Sequence, residues 1–292
     1  MELRFQPSLI IHGGVVDTLT RDYSSALAVL ERVCLQGWRL LAEHRSSLDV
    51  VEEIVYELEV SGAFLAGRGA CPNSEGQFEL DGSIMEGRGR LGAGVAAAQN
   101  AVSAIRLARY VMANTEHALI VGEGVRRLVN NSATFFAESP SEYYAPIFAP
   151  AEVARGRSLG FGTVGAAAMD STGLCAAATA TSGVLNKRAG RVGDTAILGA
   201  GTWAGPEIAV SCTGQGEYFL RSATAAQVEC RTKWLSQSVD EACQQALADV
   251  AAMGGAGGLI AAHKGGVSWA FNTVGLKRAW IDCAGNCIAR VD

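Results

Sequence analysis

Thr163 follows Gly162 at the head of an apolar run, Thr163-Val164-Gly165-Ala166-Ala167-Ala168, and a second run, Cys175 to Thr181, ends on another threonine. Cleavage of the Gly162–Thr163 bond would give Thr163 a free α-amine, whose ordinary pKa is about 7.7–8.0. That amine can take the proton of its own Oγ, directly or through water, and later supply it to a leaving group. Nucleophile and base are then joined covalently, so little orientational entropy is left to lose. Gly162 suits the position before such a bond, because without a Cβ it tolerates strained backbone and leaves its carbonyl open to attack. The plainer reading is that both threonines are ordinary β-formers.

The segment between the two runs supplies geometry. Asp170-Ser171-Thr172-Gly173-Leu174 suits a three-residue turn with Gly173 in the left-handed position. Pairing Asp170 with Leu174 then sets Thr163 opposite Thr181 on one face, unless a bulge intervenes. Arg191 and Asp194 follow in Gly190-Arg191-Val192-Gly193-Asp194. A guanidinium suits a substrate carboxylate and an aspartate suits an ammonium, so the pair describes a site for the α-amino-acid end of a small substrate. A surface salt bridge in a turn is the bland alternative. Thr213-Gly214-Gln215-Gly216-Glu217 adds a hydroxyl and backbone N–H groups at a strand end, an oxyanion-hole candidate.

Other chemistries find less support. The four histidines stand at 12, 44, 117 and 263, none with a nearby GxSxG or cysteine-nucleophile signature. His12, at a strand end, reads as a hydrogen-bonded core residue. Gly87 to Gly92 matches GxGxxG, but the preceding strand carries Glu79, Asp81 and Glu86 and another strand follows, unlike a dinucleotide-binding βαβ unit. The eight cysteines contain no CxxC, and Cys283 and Cys287 are too isolated from His263 for a zinc pattern. They read as reduced structural residues of a cytoplasmic protein. The net charge of -5 and scattered Lys and Arg give no general attraction to nucleic acid or anionic lipid. Neither a signal peptide in Met1 to Gly14 nor a membrane span is expected.

The elements must position these groups. A chain of 292 residues, 49% hydrophobic and without linker-like composition, is expected to build one domain. Pro7 to Ile11 reads as a strand ending at His12-Gly13-Gly14, and Ser24 to Glu43 as a helix with an apolar stripe through Leu27, Leu30, Cys34, Trp38 and Leu41. Ser46 and Asp49 resemble a capping box for a helix over about 48–58. Strands are expected over 77–87 and 91–97, then a helix through Ile105 and Met112, a short buried strand at 118–121 and a short helix at 123–129. Residues 130–160, with Pro140, Pro146 and Pro150 and the aromatics Phe135, Phe136, Tyr143 and Tyr144, read as a long mobile segment whose exposed rings would fit an interface. Hairpins follow, 163–168 with 175–181 and 196–202 with 208–213. A helix from Ser238 with Glu241 in capping-box position comes next, then a hairpin around Lys264-Gly265-Gly266. Blocks of helices and strands imply an α+β fold, antiparallel sheets covered by helices.

From Thr163 to Ala204 the chain resembles the plant-type L-asparaginase and isoaspartyl peptidase family of N-terminal-nucleophile (Ntn) hydrolases. The likeness runs through Thr163-Val164-Gly165-Ala166, the stretch ending at Thr181, Asn186-Lys187, Gly190 to Asp194, Gly199 to Ala204 and Thr213 to Glu217. Upstream, Ile11 to Gly14, Ala66 to Gly69 and Asp81 to Gly87 extend it over nearly the whole chain. The resemblance implies a four-layer αββα sandwich, self-cleaved into 1–162 and 163–292 and assembled as a homodimer of αβ units. It implies hydrolysis of the L-asparagine side-chain amide and of β-aspartyl peptides. Thr163 corresponds to the nucleophile and Thr181 to the threonine that tunes it. Arg191 and Asp194 match the substrate anchors, Thr213 and Gly214 the oxyanion hole, and Gly216 a loop touching the amine. No catalytic cofactor is implied. A structural sodium is, held through backbone carbonyls of Leu58, Glu59, Ser61, Phe64, Ala66 and Arg68.

The sequence departs from the family pattern at several points. Leu65 stands where asparagine usually supports the nucleophile, Val15-Val16 replace Ala-Gly, Ala189 and Ala196 replace prolines, and Phe161 precedes Gly162. A related glycosylasparaginase-like or specialised-pathway amidase, and a non-processing amino-acid-binding relative, stay open beside the leading reading.

Overall fold

Alanine and other small apolar residues alternate along the central strands, and the alternation divides them between two cores. In the computed structural model, residues 5–130, 132–150 and 162–292 are described. Ala166, Ala168, Ala176, Ala178 and Ala180 join a core under helices, whereas Ala167, Met169, Cys175 and Ala177 join a core between two sheets. Period-two alternation on small residues lets both faces of each strand be buried and lets the sheets approach closely.

The larger sheet has the order β12-β11-β1-β5-β6-β2-β3-β4. These strands are β1 Ser8–Val16, β2 Glu79–Glu86, β3 Gly92–Gln99, β4 Leu119–Val121, β5 Val164–Met169, β6 Cys175–Thr181, β11 Gly275–Ile281 and β12 Cys287–Arg290. The smaller has the order β10-β9-β8-β7, from β7 Thr202–Ala204, β8 Ile208–Gly214, β9 Gly257–His263 and β10 Gly266–Phe271. All pairings are antiparallel except β3 with β4. Helices α1 Ser24–Ala42, α2 Ser47–Val60 and α3 Ala104–Asn114 cover the larger sheet. The short α4 Glu123–Leu128 and α5 Pro140–Tyr143 and α6 Gly216–Ser222 precede α7 Thr224–Leu235 and α8 Val239–Ala252, the pair that covers the smaller sheet. The result is the expected α+β, αββα sandwich. No described helix is long and apolar enough to cross a membrane.

Capping explains several boundaries. Ser46 accepts from the Asp49 N–H, and Ser238 and Glu241 form a complete capping box. The buried Glu59 carboxylate ties the end of α2 to the start of α3, accepting from Ser103 Oγ at 2.5 Å and the Ala104 N–H at 2.8 Å.

Some expectations need correction. The 118–121 strand is an exposed edge, with Leu119 43% and Val121 54% exposed, because only β3 pairs with it. Phe136 and Tyr144 are buried, not exposed: Tyr144 stacks on Phe78 at 4.0 Å and its hydroxyl donates to the Ala101 carbonyl. Phe135 and Tyr143 are half-buried and pack against the same core, so these rings serve the core; residues 131 and 151–160 of the segment read as mobile lie outside the described residues. Only Thr202–Ala204 pairs with β8, since residues 194–201 coil back on themselves through Ile197 N–H to Asp194 O and Gly201 N–H to Asp194 O bonds. Gly87 to Gly92 joins two antiparallel strands, incompatible with a βαβ unit.

The β5–β6 hairpin has the expected turn. Asp170 N–H donates to Leu174 O, Gly173 has φ +80, and Val164 pairs with Ala180. Asp170 Oδ1 accepts from the Thr172 and Leu174 N–H groups, while Oδ2 accepts from the Ser47 N–H at the start of α2. Asp170→Ala strands the buried Ser47 N–H and frees the turn, and the free energy of unfolding in a urea titration is expected to fall by about 2–4 kcal/mol.

Candidate active site

The hairpin register brings two hydroxyls together at its open end. Thr163 Oγ1 donates to Thr181 Oγ1 at 3.3 Å, with both residues buried. Thr181 Oγ1 also accepts from the Gly183 N–H at 2.9 Å. With both lone pairs of Thr181 engaged, its own hydrogen is the one left to rotate toward negative charge developing on Thr163. Gly162 packs against Leu65 so closely that any side chain at 162 would overlap it. Leu65 itself is fully buried with Cys71, Phe148 and Leu185, and its carbonyl accepts from Ser182 N–H at 2.9 Å.

Beneath the pair runs a line of buried side chains between the sheets. His12, paired with Gly165 across β1 and β5, lies with Nε2 2.9 Å from Ser211 Oγ. Ser211 meets Thr179 at 2.8 Å, Thr202 donates to Thr179 at 2.6 Å, and Ser83 donates to Thr202 at 2.7 Å. Burial drives the His12 pKa down to about 3, so the ring is neutral and acts as scaffold, in keeping with its sequence reading.

Arg191 and Asp194 share a second wall. Arg191 points Nε and Nη2 at Glu217 Oε1, 2.9 and 2.8 Å away, and so is held by α6. Gly216, the first residue of α6, has no room for a Cβ: one there would stand 2.7 Å from Asp194 Oδ1 and 3.1 Å from Arg191 Nη2. Asp194 is buried, and its Oδ2 has no protein partner among the described residues. Burial pushes its pKa up to about 7, against the pull of the Arg191 guanidinium. The buried hydroxyl of Thr213, at the end of β8, is likewise without a protein partner. Gly214 follows at φ +151, pressed against the Ala256 carbonyl. A carboxylate and a hydroxyl left unpaired in the interior are costly unless a ligand completes them.

Sequence reasoning missed the support behind this loop. Lys187, buried, lies 3.7 Å from Glu79 Oε2 and donates to the Glu79 carbonyl, while the Gly190 N–H donates to Glu79 Oε1 at 3.0 Å. Asp81, paired with Thr181 across β2 and β6, accepts from the Ala97 N–H. Burial raises its pKa, and Lys187 and Arg191 oppose that rise. A signal was present: Glu79, Asp81 and Ser83 recur with period two in the first half of the strand.

The loop of 58–68 is where the resemblance implies a sodium. Leu58 O accepts from Ser61 Oγ, Ala66 O from the Gly69 N–H and Arg68 O from the Ala145 N–H. The Glu59 carbonyl comes where a Cβ on Gly67 would be, and the Phe64 and Gly62 carbonyls where one on Gly69 would be. Several carbonyls of the loop are thus close to its glycines or singly engaged, and a carbonyl with one hydrogen bond keeps a second lone pair of the kind a hard cation takes.

An αββα sandwich with a threonine at the head of a central strand defines the Ntn-hydrolase class. The family model described as "Asparaginase" matches residues 5–145 and 134–287, and the chain belongs to that family. The chain is 36% identical to an isoaspartyl peptidase of Salmonella typhimurium, over 93% of this chain and 94% of that protein. It is 36% identical to the isoaspartyl peptidase of Escherichia coli, over 93% and 92%. It is 32% identical to the human isoaspartyl peptidase/L-asparaginase, over 94% and 92%.

The raised pKa of Asp194 has a definite sign. The folded chain holds this proton more tightly than the unfolded chain, so the contribution is full below the ordinary carboxylate pKa. It is lost as pH rises through about 7. Asp194→Asn removes the cost and is expected to raise stability at pH 8 by about 2–4 kcal/mol, with little change at pH 4. Thermal unfolding at the two pH values checks the sign, and calorimetry with L-aspartate at pH 8 should show the same variant binding at least about tenfold more weakly.

Proposed function

We propose that the chain cuts itself between Gly162 and Thr163 and then hydrolyses L-asparagine side-chain amides, β-aspartyl (isoaspartyl) peptides, or both, through an acyl-enzyme on Thr163. The observation that carries this reading is the buried Thr163–Thr181 hydroxyl pair at the scissile position. In the uncut chain Thr163 Oγ attacks the Gly162 carbonyl carbon, the C–N bond breaks to free the α-amine of Thr163, and water hydrolyses the resulting ester to free Oγ and the Gly162 carboxylate. That amine then takes the Oγ proton as Oγ attacks the substrate carbonyl. Thr213 and the Gly214 backbone N–H hold the oxyanion, and the amine returns the proton to the departing nitrogen. Water repeats the sequence to release the acid. Arg191 binds the α-carboxylate of the aspartyl end, Asp194 its α-ammonium, and Gly216 leaves the room for that end to lie against them.

The loop of 58–68 is the proposed sodium cradle; the ion would brace α2 against the site and takes no part in the reaction. A cytoplasmic homodimer of αβ units is the proposed assembly. The second reading, a binding relative that stays uncut, is favoured by one observation: Leu65 contributes only apolar packing beside Gly162.

Intact mass under denaturing conditions after prolonged incubation is expected to give two fragments, 1–162 and 163–292. Thr163→Ala should stay whole and lose all turnover, and Thr181→Ala should slow turnover by about 10²-fold or more. An uncut wild-type chain that binds amino acid without turnover would establish the second reading instead.

A further inference from the structure

The reaction has a side that Arg191 and Asp194 do not touch. The departing nitrogen must come within hydrogen-bond reach of the Thr163 amine, the atom that carries Gly162 in the uncut chain. The leaving group therefore extends toward the place of Gly162. A cleft of about 460 Å³ opens there, its wall including Gly162, Val15, Ala63, Phe148 and Lys277.

Lys277 is placed by a bulge. His12 pairs with Arg278 and Val15 with Leu276, so Gly13 and Gly14 together oppose Lys277. Leu276 enters the core between the sheets, and Lys277 turns to the other face. Its Nζ lies 5.6 Å from the Tyr23 ring centre and 5.7 Å from that of Phe64. The residue is only 8% exposed, and no carboxylate stands within ion-pairing distance of Nζ among the described residues. Burial lowers its pKa to about 8; Arg21 adds to the fall and Asp17 opposes it. An ammonium held by two ring faces in a cleft wall is a half-made anion site, because burial is costly until a charged partner arrives. Arg21, Asp17 and Asp22 line the same cleft, so its fixed charges nearly cancel and the ligand they suit is a single carboxylate, not a multivalent anion.

We propose that Lys277 binds the α-carboxylate of the leaving amino acid, making β-aspartyl dipeptides, and not L-asparagine, the substrates to which this site is fitted. The inference rests on the hydrolase reading above and names its leaving group: in a β-aspartyl dipeptide the carboxylate lies two bonds from the scissile nitrogen, whereas ammonia offers Lys277 nothing.

The test is kcat/KM of the self-cleaved protein on β-aspartyl-alanine, on its C-terminal amide and on L-asparagine. Wild type is expected to favour the free acid over the amide by about tenfold or more, equivalent to about 1.4 kcal/mol. Lys277→Gln should bring that ratio close to one, and Lys277→Arg should keep most of it; the 163–292 fragment in the intact mass reports that each variant has folded. A wild-type ratio near one, or a ratio that survives Lys277→Gln, overturns the proposal and leaves the hydrolase reading standing. Cleaved protein that turns over none of the three overturns that reading and this proposal with it.

Discussion

The register of one hairpin governs the site. The turn at Asp170 to Leu174 fixes which residue of β6 faces which residue of β5, and a slip of one residue would turn every side chain to the opposite face. Thr163 and Thr181 would then lose each other, and the alanines that separate the two cores would exchange sides. Asp170 holds that register from both directions. One oxygen is spent on the turn and the other on the first residue of α2, so the helix layer and the β5–β6 hairpin share a single carboxylate.

Charge supplies the second constraint. Glu79, Asp81, Lys187, Arg191 and Asp194 all sit at the back or wall of the site, four of them buried and Arg191 partly so, and burial outweighs their mutual attraction at Asp81 and Asp194. Such an arrangement is poor as a stabilising device. It makes sense as preorganisation: the loop carrying Arg191 and Asp194 is tied to Glu79 through Gly190 and to Glu217 through Arg191, so both side chains hold their places before a ligand arrives.

Much of this was legible in residue order. The turn chemistry of Gly173 gave the Thr163–Thr181 pairing, and the capping residues Ser46 and Ser238 gave two helix starts. The misreadings share a cause: local pattern does not reveal which neighbour covers a segment. Leu119 and Val121 look like buried-strand residues, yet only one strand pairs there; Phe136 and Tyr144 sit in a proline-broken stretch, yet Phe78 stacks on Tyr144 and Ala101, just after β3, pairs with Phe136 and accepts from the Tyr144 hydroxyl. The coil at 194–201 escaped for a further reason. Its hydrogen bonds return to the Asp194 carbonyl, and no periodicity marks backbone that folds on itself.

Leu65 and Lys277 bear on the two sides of the scissile position in different ways. Leu65 fills the space against Gly162 with hydrocarbon, and its carbonyl is held by Ser182. Lys277 reaches the neighbouring cleft with a charge whose companions are two ring faces. Packing of the first kind fixes Gly162 in place in the continuous chain. A buried ammonium of the second kind gains its full value only once a small anion can enter beside Thr163. The wall around Gly162 thus combines a group suited to holding the peptide bond with one suited to receiving what replaces it.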